Sequence, residues 1–127
     1  MNSRNSSQPI STVMLPAKVD TVTVAGVESM LLTALRPGAR IIVDGSAVAY
    51  MSAAGVRTFA TVMHEAAKVE ARVAFCSFHG AAWDCLVVSG FSELLEIAET
   101  TAQAAARLEK DPSPSGGESL RQRGTAG

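Results

Sequence analysis

The 127-residue chain is 47% hydrophobic and carries 11 basic and 12 acidic residues for a net charge near −1. That is enough apolar material for one core of single-domain size, and the absence of a Lys/Arg cluster makes nucleic acid an unexpected partner. No apolar run approaches the ~20 residues of a membrane span, and Met1 to Ile10 are polar rather than basic and then apolar; a soluble, cytoplasmic protein without membrane insertion is expected.

Composition divides the chain into three parts. Residues 1–11 are rich in Ser and Asn, and residues 111–127, opening Asp-Pro-Ser-Pro-Ser-Gly-Gly, lack apolar periodicity; both ends are expected to be disordered around a domain over 12–110. Met14 to Val19 reads as a strand. Val24, Val27, Leu31 and Leu35 then recur at helical spacing until Pro37-Gly38 ends the run. Arg40-Ile-Ile-Val-Asp44 is a short continuous apolar run, as in a strand covered on both faces. Val56, Phe59, Ala60, Met63 and Ala67 give the next helix an apolar side. Arg72 to Phe78 reads as a strand, and a helix from Ala81 to Ser89 stops at Gly90. Leu94 to Ile97 suggests an edge strand. The last helix spans Thr100 to Lys110, with a Thr cap and an apolar stripe of Ala102, Ala105 and Leu108. Strands alternating with helices imply an α/β fold with a mostly parallel sheet of about four strands and right-handed crossovers.

Searching for catalytic chemistry yields little. His64-Glu65-Ala66-Ala67-Lys68 opens like the zinc-protease helix His-Glu-x-x-His, but Lys replaces the second imidazole. Cys76, His79 and Cys85 fit neither the count nor the spacing of a closed metal site, and two cysteines in a reducing cytoplasm read as small buried apolar residues. No Gly-x4-Gly-Lys phosphate loop occurs, and Asp44 has no defined carboxylate partner. No cofactor is expected, and the chain reads as a non-enzyme.

From about Met14 to Lys110 the residues carry a family resemblance. Ala17-Lys-Val-Asp20-Thr-Val-Thr23 is similar to a strand ending Leu/Val-Asp-x-x-Thr; Ile41-Ile-Val-Asp44-Gly-Ser46 resembles the central Val-Val-Leu-Asp-Leu-Ser strand; Ser89-Gly90-Phe91-Ser-Glu-Leu94-Leu95-Glu-Ile97 resembles Thr-Gly-Leu-x-x-x-Phe-x-Ile. In this order and spacing they resemble the STAS domain, the family of bacterial anti-sigma factor antagonists. That family begins with two adjoining strands, and here there is room for only one before Asp20.

The resemblance implies a partner, an anti-sigma factor of the ATPase/kinase type, docked by the loop Ser52, Ala53, Ala54, Gly55, Val56 and Arg57 so as to control sigma-factor-dependent transcription. It also implies a phosphoacceptor serine just before Gly55, where this chain has Ala54; phosphate there would add about −1.5 to −2 charges at a helix start. A chain without that hydroxyl should behave as a permanently dephosphorylated antagonist. Ser52 reads as the helix N-cap, bonded to the amide of Ala54 or Gly55, with modification as the alternative. Thr58 reads as solvated. Gly55 reads as a close-approach residue, a docking residue, or both. Arg57, Thr61, His64 and Lys68 fall on the polar helix side, solvated or partner-facing, and Tyr50 and Met51 read as core or partner contacts. A STAS subunit of a lipid-trafficking ABC-type membrane transport complex is the second reading, and a thiol-based redox sensor the third. Oligomeric state is left open.

Overall fold

The strand that the sequence marks most clearly, β3 (Arg40–Asp44), lies inside a sheet, and its surroundings account for its unbroken apolar run. In the computed structural model, which describes residues 9–110 apart from Glu96, β3 pairs in parallel with β1 (Ile10–Met14) on one side and β5 (Arg72–Cys76) on the other. The short strand β6 (Ile97–Ala98) joins the far side of β5, giving a parallel four-stranded sheet in the order β1, β3, β5, β6. A separate parallel ribbon joins β2 (Lys18–Val19) to β4 (Tyr50–Met51), with Lys18 opposite Tyr50 and Val19 opposite Met51.

Four α-helices occur among the described residues: α1 (Val24–Ala34), α2 (Ala53–Lys68), α3 (Gly80–Ser89) and α4 (Thr101–Glu109). Side chains alternate across a strand, so β3 sends Ile41 and Val43 to one face and Ile42 to the other. The first face meets Val27 and Leu31 of α1, Val56, Phe59 and Val62 of α2, and Ala82 and Leu86 of α3 in the larger core cluster. The second meets Ala104 and Leu108 of α4, with Ala74, Cys76 and Ala98 from the neighbouring strands. Three crossover helices therefore cover one face and the final helix covers part of the other.

The segment before Asp20 corrects the sequence reading. Residues 14–19 are not one strand: β1 ends at Met14, and Leu15 to Ala17 carry the chain across to β2. Ile10 and Ser11, counted within the polar terminus, are strand residues opposite Arg40 and Ile41. Both leading strands are present, and the first was hidden because Ile10-Ser-Thr-Val-Met14 is an edge strand with a mixed pattern of exposed and half-buried positions. The expectations for residues 1–8 and 111–127 fall outside the described residues.

Smaller differences have equally local causes. On α2 the buried stripe is Gly55, Val56, Thr58, Phe59, Val62 and Ala66; Ala67 is exposed, and Ala60 and Met63 lie at the margins. On α4 the contact stripe is Ala104 and Leu108, whereas Ala102 is exposed. Between α3 and β6 a short 3-10 turn (Phe91–Glu93) precedes the stretch expected to be an edge strand, where Leu94 and Leu95 lie outside any strand and β6 begins only at Ile97. The α3 stop is as read: Gly90 takes a left-handed φ of 85°, a conformation that only glycine adopts at little cost.

Candidate functional site

The ribbon β2–β4 exists to place the loop that begins α2. Both the Ala49 and Tyr50 amides donate to the Ala17 carbonyl at 2.7 and 3.2 Å, and the Ser52 amide donates to the Val19 carbonyl at 2.9 Å. Three backbone bonds to the β2 segment therefore hold residues 49–52 in one extended path. That path turns into α2 at Ser52, which is extended at φ −106° and ψ 173°.

Gly55 sets how deeply the first turn of α2 sits. A Cβ at this position would come within 2.7 Å of Val19 Cγ1, 3.0 Å of Met51 Cγ and 3.1 Å of the Val19 carbonyl oxygen. Glycine thus permits the close helix-to-ribbon approach that the sequence suggested. With Gly55 and Val56 packed inward, Val56 being 2% exposed, the surface of the loop is made by Tyr50, Ala53 and Arg57, with Ala54 half-buried beside them. Arg57, Thr61, His64 and Lys68 continue that surface as an exposed stripe along α2. Lys68 Nζ is 3.2 Å from Glu65 Oε2.

Of the six loop residues singled out by sequence, the structure brings four to or near the surface and buries two. Val56 is a core residue, and its side chain is out of reach of a partner. Met51 is core as well, at 4% exposure, while its neighbour Tyr50 is 51% exposed. Ser52 stands at the N-cap position, but the expected side-chain bond to Ala54 or Gly55 is absent: its Oγ is buried and unpartnered. Thr58, expected to be solvated, is 5% exposed. The signal for Thr58 was present in the spacing of Gly55, Thr58, Val62 and Ala66, which recur at helical intervals on the buried side of α2.

A second element of the site went unread for its role. The Asp20 carboxylate accepts from the Val22 amide at 3.0 Å and the Thr23 amide at 3.1 Å, while Thr23 Oγ1 accepts from the Asp20 amide at 3.0 Å and donates to the Lys18 carbonyl at 2.9 Å. The Asp-x-x-Thr signature is therefore a knot that ties the end of β2 to the start of α1. The Thr23 amide is the chief reason that the Asp20 carboxyl titrates below its ordinary value, with the Val22 amide, the Thr23 hydroxyl and the Lys18 charge acting in the same sense against partial desolvation.

The other candidate residues do not assemble. Cys76 and Cys85 are free thiols. Burial pushes the Cys76 thiol up, partly offset by a hydrogen bond from Ser77 and reinforced by the Asp44 charge; burial alone pushes up Cys85. Neither is primed as a nucleophile, which requires a lowered thiol pKa. Among the described residues no group of three His, Cys, Asp or Glu side chains is placed to hold a metal ion. Asp44 is 8% exposed and accepts from the Ser46 amide at 2.8 Å, a turn-forming role. No helix of the described residues is long and apolar enough to cross a membrane.

A family model for the STAS domain matches residues 4–104. The chain belongs to the STAS domain family. No curated protein matches it. Among solved structures, this STAS domain is similar to an anti-sigma-factor antagonist (STAS) domain protein from Planctomyces limnophilus, with a TM-score of 0.68 and 16% identity over 78% of this chain and 90% of that one. A candidate anti-sigma factor antagonist from Thermotoga maritima aligns with a TM-score of 0.68 and 12% identity, over 78% and 88% of the two chains. A sulfate transporter family protein from Wolinella succinogenes aligns at 0.65 and 15%, over 80% and 88%. At these identities the likeness speaks to fold, and it spans regulators and transporter-associated domains alike.

Proposed function

We propose that this STAS domain is a non-catalytic docking module, an anti-sigma factor antagonist that binds an anti-sigma factor of the ATPase/kinase type and so controls sigma-factor-dependent transcription in the cytoplasm. The docking surface in this reading is Ser52 to Arg57 together with the outer stripe of α2. The supporting observation is the build of the loop: backbone bonds to the β2 segment and the buried Gly55 hold an exposed, preformed surface at the start of a helix, which keeps the ordering cost of binding low.

The same loop supports a module that phosphorylation does not switch. Position 54 is alanine, and the nearest hydroxyl, Ser52 Oγ, is buried; a kinase needs an accessible oxygen. Incubating the protein with the anti-sigma kinase of its source organism and ATP, then measuring intact mass, tests this. The wild-type mass should not change, whereas Ala54→Ser should gain one phosphate. Phosphate on the wild-type loop would overturn the unswitched reading, and failure of an anti-sigma ATPase to bind would overturn the antagonist reading.

The absent acceptor suits a second reading equally, a STAS subunit of a membrane transport complex packing by the same face on an ATP-binding subunit. Affinity capture of the tagged chain from a lysate separates the two by whether an anti-sigma ATPase or transporter subunits are recovered.

A further inference from the structure

The edge of the sheet at β6 leaves a space that the docking reading does not use. A cavity of about 980 Å³ opens at the carboxyl ends of β5 and β6, between the start of α3 and the side of α4. That size lies at the upper end of the ~300–1,000 Å³ of small-ligand sites, and in open parallel sheets the carboxyl ends of the strands are where ligands bind. None of its lining residues belongs to the loop Ser52 to Arg57.

Its walls are chemically divided. Phe78, Trp83 and Ile97 supply apolar surface, and Trp83 is left 37% exposed. Arg107 supplies charge in a fixed place. The β6 carbonyl that faces β5, that of Ala98, accepts from the Ser77 amide at 3.2 Å; the Ile97 carbonyl accepts from Arg107 Nη1 at 3.1 Å. One donor of the guanidinium thus closes the open strand edge and anchors the group against the cavity. Among the described residues Arg107 forms no ion pair, although Glu99 lines the same cavity. A half-buried guanidinium with no carboxylate on it among the described residues, lining the same cavity as an exposed indole, is matched by a ligand that brings an acidic group and a flat ring together.

We infer that this cavity binds a small aromatic anion, its carboxylate or phosphate on Arg107 and its ring against Trp83. Glu99 limits the affinity by repulsion. His79, whose Nε2 is 3.0 Å from the Ser46 carbonyl oxygen, donates there and so keeps the opposite edge of the entrance in place.

Trp83 is the single tryptophan of the chain, so its fluorescence reads occupancy directly. The probes are 3-phenylpropionate and phenyl phosphate, with 3-phenylpropanamide and inorganic phosphate as controls. The expected result is a saturable change with one or both aromatic anions, about tenfold or more weaker in Arg107→Met, as the loss of a charge-assisted hydrogen bond implies, and tighter in Glu99→Gln. Equal binding of the amide, equal binding of inorganic phosphate, or no saturable change up to millimolar probe would overturn the site. So would an aromatic anion whose affinity is indifferent to either substitution. Glu99 is exposed, so Glu99→Gln keeps the test decisive even if Arg107→Met unfolds.

Discussion

Gly55 shows how one missing side chain can set the geometry of a surface. Gly55→Ala gains about 0.5–1 kcal/mol of helix preference, but its Cβ must displace the Val19 side chain and press on the Val19 carbonyl, an overpacking that costs roughly 1–3 kcal/mol. The expected net loss is about 1 kcal/mol in urea denaturation, with weaker docking because the first turn of α2 lifts from the ribbon. Asp20 makes a different kind of contribution, through charge. Its folded pKa lies below the ordinary 3.8, so its stabilisation is fully present above that value and is lost as pH falls below it. Asp20→Asn retains an acceptor oxygen but not the charge; its stability measured between pH 5 and pH 3 should fall less steeply than wild type. An equal slope would show that the Asp20–Thr23 knot does not contribute to acid sensitivity.

At the scale of elements, α4 is the most dependent on its surroundings. It is nine residues long, shorter than helices that persist alone in water, and its fixed ends compensate. Thr100 Oγ1 accepts from the Gln103 amide at 3.1 Å at its start. At its end, Nη1 of Arg40 donates to the Leu108 carbonyl at 3.1 Å, and Nη1 of Arg72 donates to the Leu108 and Lys110 carbonyls at 3.3 and 2.7 Å. Two guanidinium groups thus sit where the helix dipole is negative. Arg72→Ala should destabilise the protein by about 1–2 kcal/mol. Hydrogen exchange of the last α4 amides should quicken more than that of α1, and uniform quickening would assign the effect elsewhere.

For the whole molecule, the two faces of the sheet predict the order in which the thiols become reactive. Cys76 is 0% exposed beneath α4 with Ala74 and Leu108, and Cys85 is half-buried against the larger cluster. A thiol-reactive probe should label Cys85 slowly and Cys76 more slowly still in the native protein, both becoming fast on unfolding. Rapid native labelling of either would favour the redox-sensor reading. The three rings of Phe59, Phe75 and Phe78, tilted or edge-on to one another with centroids 4.8, 5.9 and 6.3 Å apart, join α2, β5 and the loop after it. They tie the underside of α2 to the loop that lines the cavity at Arg107.

Much of this was legible residue by residue. The apolar run of β3, the helical spacing of α1, Gly90 at the end of α3 and the Thr100 cap all follow from local preferences, and together with the Asp-x-x-Thr and Asp-x-Ser signatures they determined the α/β class and the STAS resemblance. Ala54 is a fact of sequence that no packing alters. Tertiary structure alone decided which oxygens and side chains reach solvent. Ser52, Thr58 and Val56 read as cap, solvated polar and docking residue; the tight approach allowed by Gly55 buries the Ser52 hydroxyl, Thr58 and Val56 instead. The edge strand β1, the placement of Arg40 and Arg72 under the end of α4, and the cavity at Arg107 depend on residues separated by tens of positions, whose proximity no local pattern encodes.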